Sequence, residues 1–173
     1  MVEPISDIRE DIAALLPKLR RFALAMAGSP HEADDLVQSA IERALSRTDQ
    51  WRAGTRLDSW MYKIVQNLWI DQARRDRRRP SADLNEAADI AGEDGRETSE
   101  RRLMLLAARK AFDGLAPELR AAASLVILNG MSYRDAAETL NVPIGTIMSR
   151  VSRSRRSLAV ALGGATVGGG AAE

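Results

Sequence analysis

Apolar residues recur along this chain at three- and four-residue intervals, and each such stretch ends in a residue that stops helices. From Ile8 to Ala27, the residues Ile12, Leu15, Leu16, Leu19, Phe22 and Met26 form one stripe, which predicts a helix with a single buried face. Pro17 lies within it, so a kink or a break is expected there, because proline lacks the N–H that an interior residue donates. Gly28 is the expected stop. Ser29-Pro30-His31-Glu32 then reads as a start: Ser29 can cap, Pro30 suits the first helical position, and Glu32 can close a capping box. The second helix runs to about Ser46, with Leu36, Val37, Ala40, Ile41, Ala44 and Leu45 inward and Asp34, Asp35, Gln38 and Glu42 on the other face. Residues 47–56 read as a loop. A third helix is expected from Leu57 to about Arg78, with Trp60, Met61, Ile64, Val65, Leu68 and Trp69 on its apolar side and Pro80 as its end.

Beyond Pro80 the rhythm fades. Residues 80–98 are poor in large apolar groups and contain Pro80, Gly92 and Gly95, the composition of a flexible linker. The pattern resumes near Ser99 and runs to Asp113, with Gly114 as stop. Pro117 opens another helix that ends at Asn129-Gly130. Ser132 reads as the cap of a short helix to Leu140, residues 141–145 as a turn, and Gly145 to Leu162 as a final helix. No stretch alternates as a strand does. The expectation is an all-α chain of two small helical domains, 8–79 and 99–162, joined by a flexible acidic linker at 80–98, with a disordered Gly- and Ala-rich tail at 163–173.

Charge changes this picture more than composition does. The chain of 173 residues carries a formal net charge of only +1, but that figure conceals a division. Residues 1–79 sum to +2, residues 80–100 to −6, residues 101–162 to +6, and Glu173 adds −1. Segregation of this kind points to nucleic acid as a partner. There is no cysteine and a single histidine, His31, so thiolate zinc, Fe–S and His-rich metal sites are excluded and no cofactor is expected. No Gly-rich phosphate loop or nucleophile–base pair appears, so neither an enzyme nor a small-molecule substrate is expected. No apolar run is long enough to cross a bilayer and no signal-peptide pattern opens the chain, so membrane insertion is not expected and a cytoplasmic location is.

The densest chemistry lies between Ser132 and Arg156. A short helix, a tight turn and a second helix make a helix-turn-helix. Ala136, Ala137 and Leu140 face inward from the first helix, and Ile147 and Val151 from the second. The rest of the second helix carries Thr146, Met148, Ser149, Arg150, Ser152, Arg153 and Arg155. Such a helix enters the major groove N-terminus first, where hydroxyls meet phosphates or bases and Arg can bind guanine through two hydrogen bonds. By spacing alone, the second helix could instead be an amphipathic helix with a solvated charged face.

The run Ser132-Tyr133-Arg134-Asp135-Ala136-Ala137, followed by Val142-Pro143-Ile144-Gly145-Thr146 and Ser149-Arg150, resembles region 4.2 of the extracytoplasmic-function (ECF, group IV) sigma factors of the sigma-70 family. Ala33-Asp34-Asp35-Leu36-Val37-Gln38 resembles their region 2.2, and Leu57 through Arg75 their regions 2.3 and 2.4. The resemblance covers most of residues 8–160. It implies that Asp34, Asp35, Gln38 and Glu42 face core RNA polymerase, although spacing alone would make them a solvated helix face. It implies that Thr146, Met148, Ser149, Arg150, Ser152 and Arg153 read the promoter −35 element. It also implies that the third helix and the loop before it read the −10 element, with Trp51, Arg56 and Asn67 near an unpaired base and Arg74, Arg75 and Arg78 on phosphates. Trp60 and Trp69 read as core. The chain departs from the family pattern at Met148, where a basic or polar reader is common, at Ala121-Ala122-Ala123, and at Asn129-Gly130.

The implied function is that of a factor binding core RNA polymerase and promoter DNA, controlled by an anti-sigma factor and serving a stress regulon. Two other readings stay open at this point. One is a helix-turn-helix regulator that works without polymerase; the other is a sigma mimic that titrates an anti-sigma factor.

Overall fold

The computed structural model describes residues 8–51, 55–76 and 96–163. These residues form seven α-helices, one 3₁₀ turn and one π-helical turn, with no strand among them: α1 (Ile8–Ala27), α2 (Pro30–Leu45), α3 (Leu57–Asp76), α4 (Arg96–Asp113), α5 (Pro117–Ala123), α6 (Tyr133–Leu140) and α7 (Ile144–Ala161). Residues Thr48–Gln50 make the 3₁₀ turn and Ser124–Leu128 the π turn. The expected linker at 80–98 lies outside the described residues as far as residue 95, as do Arg78 and the tail from residue 164. α4 starts at Arg96, three positions before the expected Ser99.

α1 is continuous through Pro17, so the expected break is absent. Pro17 and Ala13, whose carbonyl loses its partner at that turn, are both exposed, and water can satisfy the freed oxygen. The Ser29 hydroxyl accepts the Glu32 N–H at 3.2 Å, which caps α2 as expected, with Pro30 in its first turn. Gly28 joins α1 to α2 at φ 84°, a left-handed conformation that L side chains rarely adopt, and its Cα faces the Asp113 carboxylate.

α1, α2 and α3 pack around Leu19, Phe22, Met26, Leu36, Val37, Met61, Tyr62 and Val65, all buried. Phe22 and Tyr62 meet edge to face, centroids 5.1 Å apart at 67°, the geometry that the ring quadrupoles favour. Burial, and Asp58 nearby, push the Tyr62 phenol up to about 12, so it stays neutral. α4 to α7 form a second unit around Leu115, Ala121, Ala122, Ala123, Leu125, Ala136, Ile147 and Val151.

The two units are docked on each other, and their buried apolar residues form one continuous cluster. α1 lies against α5 and the π turn, and α3 lies against α6. Arg120 of α5 is the central clasp. Its guanidinium donates to the Met26 carbonyl at the end of α1 (3.0 Å), to the Leu115 carbonyl (3.2 Å) and to the Asp113 carbonyl. It also lies 5.8 Å from the centre of the Trp69 ring, within cation–π range. One cation thus serves the carbonyl ends of α1 and α4, where helix dipoles are negative. Burial lowers the Arg120 pKa and Asp113 opposes that, but an arginine stays protonated.

Candidate nucleic-acid interface

Local chemistry sets the angle between α6 and α7. The Ser132 hydroxyl accepts the Asp135 N–H at 3.1 Å and caps α6. Asn141 ends α6 in the left-handed conformation, φ 53°, which asparagine tolerates better than most residues. The next amide, Val142 N–H, reaches back to the Ala137 carbonyl at 3.0 Å, and Pro143 leads into α7. Ile147, Val151 and Ser154 then point into the core. Ser154 is a buried hydroxyl with a reason to be there: its Oγ lies 2.8 Å from the Arg150 carbonyl, one turn back, and 3.1 Å from the Leu119 carbonyl of α5.

With those three residues inward, 100° per residue fixes where the others lie. Gly145, Ser149, Ser152 and Arg156 run down the side opposite the core. Ile144, Met148 and Arg155 form one flank, and Thr146, Arg150 and Arg153 the other. Met148, Ser152 and Arg153 are exposed; Thr146, Ser149 and Arg150 are half-buried. All six residues expected to contact the −35 element are therefore on one accessible helix, around a central strip of small side chains. α7 holds four arginines and no acid, so its surface draws an anion.

The residues expected at the −10 element occupy the other unit. Asn67, Arg74 and Arg75 are exposed on α3, and the Arg75 Nε donates to the Asp71 carbonyl at 3.2 Å. Trp51 is half-buried at the end of the 3₁₀ turn, and its indole N–H is buried without a partner among the described residues. Trp60 and Trp69 pack against the core. Arg56 is engaged: Nε and Nη2 donate to Asp58 at 3.2 and 2.7 Å, and Nη1 pairs with Asp135 of α6. Hydrogen bonds to those two carboxylates hold the Arg56 pKa far above its ordinary value. Beside this contact the Thr139 and Ser59 hydroxyl oxygens are 2.9 Å apart. Arg21 donates to the Leu128 carbonyl at 3.0 Å.

On α2, Asp34, Asp35, Gln38 and Glu42 form one exposed stripe opposite the buried face. Asp34 is not an unpaired acid: Arg20 of α1 holds both its oxygens at 2.9 Å. His31 Nδ1 lies 3.2 Å from Asp35, and Gln38 donates to Glu42 at 3.1 Å. Arg20–Asp34, Arg56–Asp135 and the Arg120 clasp leave no trace in the hydrophobic pattern. Each joins residues on separate elements, and helical spacing reports only neighbours on one helix.

The comparisons with known proteins agree with this geometry. Residues 12–66 match the family described as Sigma2 domain of PhyR, and residues 105–158 match Sigma-70, region 4. The chain is 37% identical over 161 residues to the ECF RNA polymerase sigma factor EcfG of Rhodopseudomonas palustris, spanning 92% of this chain and 87% of that one. It is 33% identical to the ECF RNA polymerase sigma factor SigE of Mycolicibacterium smegmatis, over 82% of this chain and 56% of that one. Among solved structures it resembles the sigma factor RpoE of Bartonella quintana, crystallised with the anti-sigma factor NepR, at a TM-score of 0.72 and 30% identity over 91% of this chain and 98% of that one. CnrH, solved with the cytosolic domain of CnrY, shares the fold at a TM-score of 0.67 and 20% identity, over 91% of this chain and 88% of that one.

Proposed function

The chain belongs to the ECF RNA polymerase sigma factors, and on that premise we propose that it binds core RNA polymerase and brings it to promoters, reading the −35 element with α7 and the −10 element with α3 and the loop before it. The observation that carries this reading is the face of α7: four arginines, no acid, and a strip of glycine and serine, presented by a capped helix-turn-helix. Arg150 and Arg153 supply phosphate or guanine contacts, and Thr146, Ser149 and Ser152 hydroxyl contacts. Trp51, Arg56 and Asn67 serve the −10 element, and Arg74, Arg75 and Arg78 hold its phosphates. The stripe Asp34, Asp35, Gln38 and Glu42 meets core polymerase. An anti-sigma factor is the regulating partner, and the cytoplasm is where the chain works.

Neither DNA contact is extensive alone. Joined in one chain, the second becomes effectively intramolecular once the first is made, and affinity multiplies. In the docked arrangement Arg56 is committed to Asp135, so engaging a −10 base requires that pair to part.

The test is the Arg153→Ala variant in a promoter mobility shift with core enzyme. Loss of one phosphate or base contact at the exposed Arg153 should weaken binding by about 1–3 kcal/mol and leave the fold intact. Unchanged affinity contradicts the assignment of α7. A second reading, a sigma mimic that does not bind DNA, draws on the match of residues 12–66 to the Sigma2 domain of PhyR. It predicts capture of an anti-sigma factor and no shift with any duplex.

A further inference from the structure

We propose that Met148, with Ile144 one turn before it, reads thymine in the −35 element through the thymine C5-methyl group, a proposal that rests on α7 being the recognition helix. Met148 is 54% exposed and Ile144 48%, and both lie on one flank of the first two turns of α7. A lone exposed apolar side chain needs no explanation. Here there are two, four residues apart in the same row, on a stretch of helix, residues 144–156, whose other outward residues are glycine, serine, threonine and arginine.

The surroundings decide what can cover them. A helix with four arginines and no acid favours a polyanion over an apolar protein face. Gly145, Ser149 and Ser152 carry no bulk, so the helix axis can approach the groove floor and bring its flank against base edges. Along the major-groove edge, the thymine methyl is the apolar group that the four bases present. The rise from residue 144 to residue 148 is about 6 Å, and neighbouring bases are about 3.4 Å apart. The pair therefore spans about two base steps, room for one or two thymines on either strand. A thioether with three rotatable bonds can follow a methyl whose position shifts with local DNA shape.

The experiment uses the full chain with core polymerase and duplexes selected by that holoenzyme from a pool randomised over the −35 element. Each thymine of the selected element is replaced in turn by deoxyuridine, which removes the methyl and keeps every hydrogen-bonding group. At one or two positions the replacement should weaken binding about three- to five-fold, the worth of one buried methyl. The Met148→Ala variant should show the same loss on the thymine duplex and no further loss on the uracil duplex, while Met148→Leu should keep the discrimination. Both variants should melt as the parent does, since residue 148 lies outside the core. Tight binding by the parent that ignores every uracil replacement overturns the proposal and leaves the recognition helix standing. Equal losses for Met148→Ala on both duplexes also overturn it. Failure of the parent to retain any duplex overturns the recognition-helix reading and this proposal together.

Discussion

The first three helices bury the larger side chains, two of them aromatic, whereas the last four mix Leu125, Ile147 and Val151 with a larger share of alanine and serine. Leu19, Phe22, Met26, Met61 and Tyr62 fill the first unit. In the second, Ala121, Ala122, Ala123 and Ala136 sit at or near zero exposure beside Ser124 and Ser154. Small residues let α5, α6 and α7 approach closely and hold α7 at a defined angle. The same choice leaves less apolar area to bury per side chain, so the second unit gains from docking on the first. Arg120, the Arg56–Asp135 pair and the shared apolar cluster supply that docking. The two cores therefore differ in kind: the first buries more apolar area per side chain, and the close packing of the second fixes the orientation of α7.

The sharpest way to break this contrast is to hollow out one core and crowd the other. Phe22→Ala removes a fully buried ring and should cost about 3–5 kcal/mol, read as a lower urea midpoint for the whole chain. Ala122→Leu adds bulk where there is none to spare and should cost about 1–3 kcal/mol, with promoter binding lost more steeply than helicity. If Ala122→Leu were tolerated at full DNA affinity, close packing in the second unit would not be what sets α7.

The smallest expected effect is at the seam between the units. Burial would raise the Asp58 pKa, but hydrogen bonds from Arg56 and from the Ser59 N–H outweigh it and hold the carboxyl below its usual range. Hydrogen bonds from Arg56 and then Ser132 lower the Asp135 pKa as well. Carboxyls depressed in the folded state contribute stability that is present above their unfolded pKa, about 4, and is lost as pH falls through the folded values. Arg56 is 42% exposed, so the pair is worth at most about 1 kcal/mol. Asp135→Asn should lower the urea midpoint slightly at pH 7 and by progressively less as pH falls below about 4; a difference that does not change with pH would mean that the ion pair is not the cause.

Much of this was legible in the sequence where the signal is local. Ser29, Ser132 and Gly28 mark helix ends because caps and left-handed turns need particular residues, and the helix-turn-helix follows from Ser132, Asn141 and Pro143. The π turn at Ser124–Leu128 was not legible. It depends on Asn129 reaching the Ser124 carbonyl with both its backbone N–H and its side-chain amide, and an apolar run such as Leu125-Val126-Ile127-Leu128 reads simply as helix. The partners of Asp34 and Arg56 were hidden for a different reason. Their spacing in the chain, 14 residues for Arg20–Asp34 and far more for Arg56–Asp135, has no helical period to expose it.

Cooperation of the two units on promoter DNA, carried by polymerase, is best probed by run-off transcription with purified core enzyme and a genomic fragment library. Adding the chain should produce transcripts from discrete start sites that core enzyme alone does not yield, and the chain should co-sediment with core. A chain freed of any inhibitor that neither co-sediments with core nor yields a single new start site would mean that the two units do not act as a polymerase-borne promoter reader.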